Sequence, residues 1–258
     1  MTDHDEAKQA RWEGRNTPKD TVRAEIWYEL EQRGVGVGPV WSRIPNFIGA
    51  DQAAERLAKL PIWQNARVVK SNPDPPQIPV RLRALQEGKL LYTPVPELVK
   101  EFPFVELDPV DLQKRGIPFE VVAPSDGAIE YGRKVNFDEM QPFDLAIVGC
   151  VAVTRNGGRT GKGAGFADLE LGIFREMGLV NPDTPIVTTV HPLQIVDDDR
   201  IVMVAHDSAL HWIITPDEAI ETHTAYPQPG GVDWEAVQPD QYRDIPFLVS
   251  LKEALTRK

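Results

Sequence analysis

The sequence predicts an α/β fold: a mostly parallel β-sheet with helices covering both faces. Short apolar runs alternate along the chain with segments of helical spacing, and one such run, residues 144–153, reads as a buried strand that feeds through a glycine-rich loop into a helix. A length of 258 residues suits one large domain of this kind with a substantial core.

Each element has a local reason. Residues 1–16 are charged, lack apolar periodicity and read as a mobile tail. Thr17 and Pro18 open a helix that runs to Gln32, with Thr17 as N-cap and Pro18 in the first turn; residues 34–39, rich in glycine, break it. Residues 50–60 place small and apolar side chains on one helical face. Residues 67–70 read as a strand, 72–79 as a proline-dense loop, 80–86 as a helix stopped by Gly88, and 90–93 as the next strand. Residues 103–114 read as a connection. After the glycine loop come a helix at 169–177 closed by Gly178 and strands at 186–190, 201–205 and 212–215. The main domain is expected over residues 17–220. A Pro-, Gly- and Gln-rich extension, 221–258, ends in a short helix at 247–255.

Composition narrows the function classes. Lys and Arg total 28 against 39 Asp and Glu, a net charge of −11. That balance argues against a nucleic-acid partner, yet one local cluster of Lys and Arg is enough to hold a nucleotide. No apolar run has the length of a membrane span, the polar N-terminus is no secretory signal, and a cytoplasmic setting is expected. Cys150 is the single cysteine, which excludes an internal disulfide; in its apolar run it reads as an inert core thiol. His191 and His211 stand alone near strands, and no zinc-like spacing of His or Cys is present. The sequence does not specify an oligomeric state.

The most informative stretch is Gly157-Gly158-Arg159-Thr160-Gly161-Lys162-Gly163-Ala164-Gly165-Phe166-Ala167-Asp168-Leu169-Glu170. Its glycines let backbone amides approach an anion, and the following helix adds the partial positive charge of its N-terminus. It is not a Walker loop, since Gly-Lys-Ser/Thr is absent. Nor is it a good dinucleotide fingerprint, because Gly161, Gly163 and Gly165 are evenly spaced with no acidic partner downstream. The plain alternative is a surface turn between strand and helix. Asp168 favours the anion site: a carboxylate there caps the helix or, beside a phosphate cradle, holds magnesium.

Residues 149–168 resemble the signature of the 5-formyltetrahydrofolate cyclo-ligase (methenyltetrahydrofolate synthetase) family, an apolar strand leading into Arg-Leu-Gly-x-Gly-x-Gly-Tyr-Tyr-Asp. Lys19 and Arg23 resemble the family's N-terminal Lys-x-x-Leu-Arg helix, with Val22 in the Leu place. Residues 63–69 resemble the lead-in to its first strand, and His206-Asp207 followed by Ile213-Ile214-Thr215-Pro216 its closing segment. The likeness covers about residues 19–220. Arg43-Ile44-Pro45-Asn46-Phe47, residues 70–83 and Gly161 to Glu170 look like its methenyltetrahydrofolate synthetase domain-containing branch.

The resemblance implies a Rossmann-like three-layer sandwich, the arrangement of ribose-5-phosphate isomerase and coenzyme A transferases. It also implies conversion of 5-formyltetrahydrofolate to 5,10-methenyltetrahydrofolate with ATP and Mg2+. Phosphorylating the formyl oxygen turns a poor leaving group into phosphate, so that N10 can displace it, and the protein mainly aligns groups and neutralises charge. On this reading Gly161, Gly163, Ala164, Gly165 and Phe166 contact the nucleotide. Arg159 and Lys162 balance phosphate charge, Lys19 and Arg23 reach it from the helix, and Asp168 carries the magnesium. Read alone, Lys19 and Arg23 are a solvated helix face, and His206-Asp207 is a pair that shapes a turn.

Two departures bear on the substrate. Phe166 and Ala167 stand where the family has two tyrosines. Gln77-Ile78-Pro79-Val80 replaces Glu-Val/Ile-x-Thr, whose acidic residue suits a pterin edge, and Asp74 is the nearest carboxylate. The competing readings are therefore ATP-dependent chemistry on another small amide or heterocycle, and a non-catalytic nucleotide- or folate-binding regulatory protein. Residues 43–47 either line an altered pocket or anchor Ile44 and Phe47 in the core.

Overall fold

A computed structural model describes residues 11–257. Its strands are β1 (Val68–Ser71), β2 (Leu90–Pro94), β3 (Phe104–Leu107), β4 (Arg133–Val135), β5 (Leu145–Ile147), β6 (Ala152–Thr154), β7 (Arg159–Thr160), β8 (Ile186–Thr189), β9 (Ile195–Val196), β10 (Trp212–Ile214) and β11 (Ala219–Glu221). Its helices are α1 (Thr17–Gln32), α2 (Ala50–Ala58), α3 (Pro61–Gln64), α4 (Ile78–Gln86), α5 (Pro109–Lys114), α6 (Phe119–Val122), α7 (Ser125–Tyr131), α8 (Phe166–Glu176), α9 (Pro239–Asp244) and α10 (Leu248–Thr256).

The main sheet has eight strands in the order β11-β10-β8-β5-β1-β2-β3-β4. Its centre, from β10 to β2, is parallel, and β3, β4 and β11 join antiparallel at the edges. The central strands are buried on both faces, as their unbroken apolar runs require. On one face α2 and α4 pack Ala53, Leu57, Val80 and Leu85 against Val69, Leu145 and Ile147. On the other, α8 and the C-terminal extension pack Leu171, Phe174 and Leu248 with Phe104, Ala146 and Ile213. Helix, sheet and helix form the three layers expected.

A second sheet, β7-β6-β9, stands apart from the first and carries α1. Val22, Ile26, Trp27 and Leu30 bury one face of α1 against Val151, Ala152 and Ile201. That packing directs Lys19 and Arg23 of the same face towards the glycine loop. Asn16, not Thr17, caps α1: its side chain accepts from the Lys19 amide.

The structure corrects three element assignments. Residues 144–153 are not one strand: β5 and β6 lie in different sheets, with Gly149 between them. A Cβ on Gly149 would stand 2.9 Å from both Asp74 Oδ2 and Ile44 Cγ2, so the crossing needs glycine. Residues 201–205 form no strand; Val202 and Val204 are exposed, and the Val204 amide donates to Asp207 Oδ2 at 2.7 Å, closing a turn. Residues 103–114 hold β3 and α5 rather than a bare connection, with Asp108 capping α5 through the Val110 amide. Elsewhere the expected elements are present, displaced by a few residues at their ends. Gly88 and Gly178 follow α4 and α8 in the left-handed region, as helix stops do.

Residues 1–10 of the predicted tail lie outside the described residues. Trp12 is buried, and Arg15 donates to Ala164 O and to Asp240 Oδ2, so residues 11–16 pack along the glycine loop.

Candidate functional site

The chain leaves β1 for β2 on one side of it and later returns to β5 on the other, so the sheet has its topological switch between β1 and β5. Loops leaving such a point diverge and open a crevice at the carboxyl ends of the strands. A cavity of about 820 Å³ occupies that place. Asn72, Asp74 and Gly149, which follow β1 and β5, line it together with Gly161 to Glu170.

The glycine loop is shaped as an anion cradle. Gly163 and Gly165 have φ of +105° and +77°, a region that side chains rarely adopt. Around Gly161 the space that a Cβ would take is open. Gly165 is the N-cap of α8 and supplies no side-chain cap, so the first amides of an eleven-residue helix face the cavity end. Ala164 is held from behind, its carbonyl accepting from Gln241 Nε2 at 3.1 Å and Arg15 Nη1 at 3.3 Å. Arg15 and Gln241 thus fix the loop, whose residues Gly161 to Phe166 line the cavity.

The cations gather as the motif suggested. Lys19 and Arg23, one turn apart on α1, are buried and line the cavity rather than facing solvent. Lys19 Nζ is ion-paired with Asp207, and Arg23 with Asp20 while donating to Thr160 Oγ1 at 2.5 Å. Arg159, buried on β7, donates through Nε to Ser208 O at 2.8 Å and through Nη2 to Asp168. Burial pulls the Arg159 pKa down, but the Asp168 and Asp207 charges outweigh it and the net shift is upward. Lys162 sits 4.0 Å from Glu97 Oε1. His206 and Asp207 do not bond each other: Asp207 shapes the turn and holds Lys19, while His206 Nδ1 lies 3.9 Å from Asp233.

Asp168 is partly committed. Its Oδ1 accepts from Arg159 and from the Ser208 amide at 2.8 Å. Among the described residues no group of three His, Cys, Asp or Glu side chains converges on a metal position. Mg2+ commonly takes one or two carboxylates and the oxygens of a nucleotide, so the donor set fits an ion held chiefly by phosphates with Asp168 at its edge.

The residues around the end of β1 bring other chemistry to the cavity. Lys70, wholly buried at the end of β1, has its Nζ 2.7 Å from Glu170 Oε2 and also bonds Asn72 Oδ1. Burial raises the Glu170 pKa, against the pull of Lys70. Arg81 reaches from α4 to the carbonyls of Asn72, Pro73 and Asp74 and to Ala123 O, pinning the turn after β1. Burial pushes the Arg81 pKa down to about 10, opposed by Asp74. The half-buried Asp74 faces the cavity, and burial raises its pKa despite Lys162, Arg81 and Lys70. Gln77 points elsewhere: it is buried, with Nε2 3.5 Å from Thr189 Oγ1 and Oε1 unpartnered among the described residues. Ile44 and Phe47 are core anchors, though Arg43 and Ile44 also border the cavity.

The remaining candidates have structural partners. Cys150 is buried and burial raises its pKa, consistent with an inert thiol. His211 Nδ1 accepts from the Ile186 amide and His191 Nδ1 from the Leu193 amide. Arg15, Trp12, Glu97 and Gln241 belong to the site's surroundings and were missed in the sequence. A lone Trp in a charged segment was the one available signal, since burial is what an indole normally seeks.

A Rossmann-like sheet with a glycine-rich loop at its switch point defines the class. The 5-formyltetrahydrofolate cyclo-ligase family matches residues 15–216, and the chain belongs to that family. It is similar to methenyltetrahydrofolate synthase domain-containing proteins of Mus musculus (38% identical over 91% of this chain and 63% of that protein), Bos taurus (36%, 91% and 62%) and Homo sapiens (35%, 91% and 61%). The chain therefore spans about three fifths of the length of these relatives. Among solved structures, the 5,10-methenyltetrahydrofolate synthetase of Aquifex aeolicus is similar with a TM-score of 0.48 and 16% identity, covering 81% of this chain and 95% of that one.

Proposed function

We propose that this protein is an ATP- and Mg2+-dependent cyclo-ligase whose substrate is 5-formyltetrahydrofolate. The observation that carries the proposal is the convergence of Lys19, Arg23, Arg159 and Lys162 on the open side of Gly161–Gly165, at the switch-point cavity, in a chain of this family. Loop amides and the α8 N-terminus would bind the phosphates, the four cations would offset their charge, and Asp168 would hold the metal, which would supply further positive charge there. Arg159 and Lys162 line the path over which the γ-phosphoryl group passes to the formyl oxygen.

Asp74 replaces the acidic residue that the Gln77 segment lacks. Its carboxylate lines the same cavity, within the field of Lys162, and can accept from the N–H edge of a pterin. Phe166 lines the cavity beside the loop, and Ala167 leaves room a second ring would fill. That room favours a second reading, ATP-dependent activation of another small amide or heterocycle.

Purified protein with MgATP and 5-formyltetrahydrofolate at neutral pH tests both. Equal growth of the methenyltetrahydrofolate absorbance band and of ADP supports the first reading. ATP binding with no pterin-dependent product eliminates it and leaves the second.

A further inference from the structure

Lys162 is the loop cation with the loosest carboxylate contact. Its Nζ is 4.0 Å from Glu97 Oε1, whereas Lys19, Arg23 and Arg159 are tied closely to Asp207, Asp20 and Asp168. Glu97 already has a better partner. Arg11 donates to it through Nη1 at 2.6 Å and Nη2 at 2.9 Å, a bidentate pair that satisfies both carboxylate oxygens. Both cations also stand over the same indole: the Arg11 guanidinium carbon is 4.5 Å, and Lys162 Nζ 5.0 Å, from the Trp12 ring centroid. Trp12 is buried and meets Phe166 edge-on at 6.3 Å, so the segment carrying Arg11 is anchored to the start of α8.

The backbone that presents Glu97 is itself unusual. Glu97 and Leu98 have φ of 59° and 56°, two consecutive left-handed residues that both carry a Cβ. Leu98 is wholly buried, and its amide donates to Val95 O at 2.9 Å. Strained backbone persists where its surroundings over-determine it, and here the strain aims a carboxylate at the cavity rim beside the glycine loop.

We infer that Arg11 and Trp12 are positioning residues for Lys162, acting through Glu97 and the shared indole. With Arg11 occupying Glu97, the Lys162 ammonium stays available to a polyphosphate at the loop. Without Arg11, Glu97 draws Lys162 to itself and the loop loses a cation. The inference rests on the reading of this loop as a phosphate site, but the latch can be measured without a ligand.

The experiment uses the full chain as wild type, Arg11→Ala, Arg11→Lys, Glu97→Gln and the double variant Arg11→Ala with Glu97→Gln. The first readout is the acylation rate of Lys162 by limiting acetic anhydride, followed by peptide mass spectrometry with Lys100 as internal standard. Arg11→Ala should slow Lys162, and the double variant should return it to the wild-type rate, with Arg11→Lys in between. The second readout is MgATP affinity by calorimetry: Arg11→Ala should weaken it by about fivefold, the scale of one partly exposed ion pair, and the double variant should restore it. Unchanged Lys162 reactivity in Arg11→Ala overturns the latch whatever the nucleotide does. So does an equal loss of affinity in the single and double variants, since Arg11 would then act through its own charge. If no form binds MgATP while Lys162 reactivity follows the expected pattern, the latch stands and the phosphate reading falls.

Discussion

At the loop end of the cavity, cations held by neighbouring carboxylates surround backbone amides; at the floor, one half-buried carboxylate, Asp74, lies near a wholly buried Lys70–Glu170 pair. Of the loop-end pairs only Lys162–Glu97 is partly exposed, whereas Lys19–Asp207, Arg23–Asp20 and Arg159–Asp168 are buried, so a ligand must replace any partner it displaces. The Lys70–Glu170 pair is sealed, so its charges are costly to disturb, and burial raises the pKa of both Glu170 and Asp74. On the proposed reading, the glycine loop takes the nucleotide and Asp74 accepts from the N–H donors of a heterocycle.

The largest effect should come from breaking the floor pair. Glu170→Leu leaves Lys70 as an uncompensated buried charge and should cost about 3–5 kcal/mol in denaturant unfolding, whereas adding Lys70→Met should recover most of it. If the single variant unfolds like wild type, the floor is wetter than its burial indicates and the contrast between the two ends fails.

Asp74→Asn comes next. It should weaken binding of a reduced pterin by tens of fold, about 2 kcal/mol, while changing MgATP affinity little. The same variant has a pH signature. Because the folded-state pKa of Asp74 is raised above its usual value, the folded protein binds more protons than the unfolded chain between the two pKa values. Wild-type stability contributed by this group therefore falls as pH rises through that window. Asp74→Asn should remove the fall, so the variant should gain on wild type from about pH 4 upward in unfolding titrations. Matching profiles would place Asp74 in water rather than at a dry floor.

At the loop end, Asp168→Asn should cost about 2 kcal/mol of stability by leaving Arg159 with a neutral partner, and should weaken MgATP more than Mg-free ATP. Equal loss of both forms in calorimetry would remove Asp168 from the metal site.

The smallest stability effects separate two glycines. Gly163→Ala forces a side chain to φ +105° with its Cβ 3.2 Å from Trp12 Cβ, and should cost about 1–2 kcal/mol. Gly161→Ala meets open space and should change stability by less than about 0.5 kcal/mol, yet it places a methyl in the cradle and should still reduce MgATP affinity. Unchanged affinity would mean that the anion does not sit over Gly161.

The loop end was largely legible because its information is local. Even spacing of Gly161, Gly163 and Gly165 before a helical pattern names the turn chemistry, and Lys19 and Arg23 one turn apart on α1 share a face whatever else the chain does. The floor was not legible in that way. Lys70 and Glu170 are a hundred positions apart and meet only because β1 ends and α8 begins beside the switch point. Residues 144–153 misled for the same reason: an apolar run records burial, and burial is identical whether the strand stays in one sheet or passes at Gly149 into another.

By itself, the sequence determined the alternation of helices and strands, the glycine-rich turn before α8 and the family, because dihedral preference, apolar period and short motifs act over a few residues. Only the tertiary structure decided that Asp74 rather than Gln77 faces the cavity, that Arg11 and Trp12 close over the loop, and that Asp207 holds Lys19. Each of these depends on which distant segments share a dry space, and the free energy that selects them belongs to the packed whole.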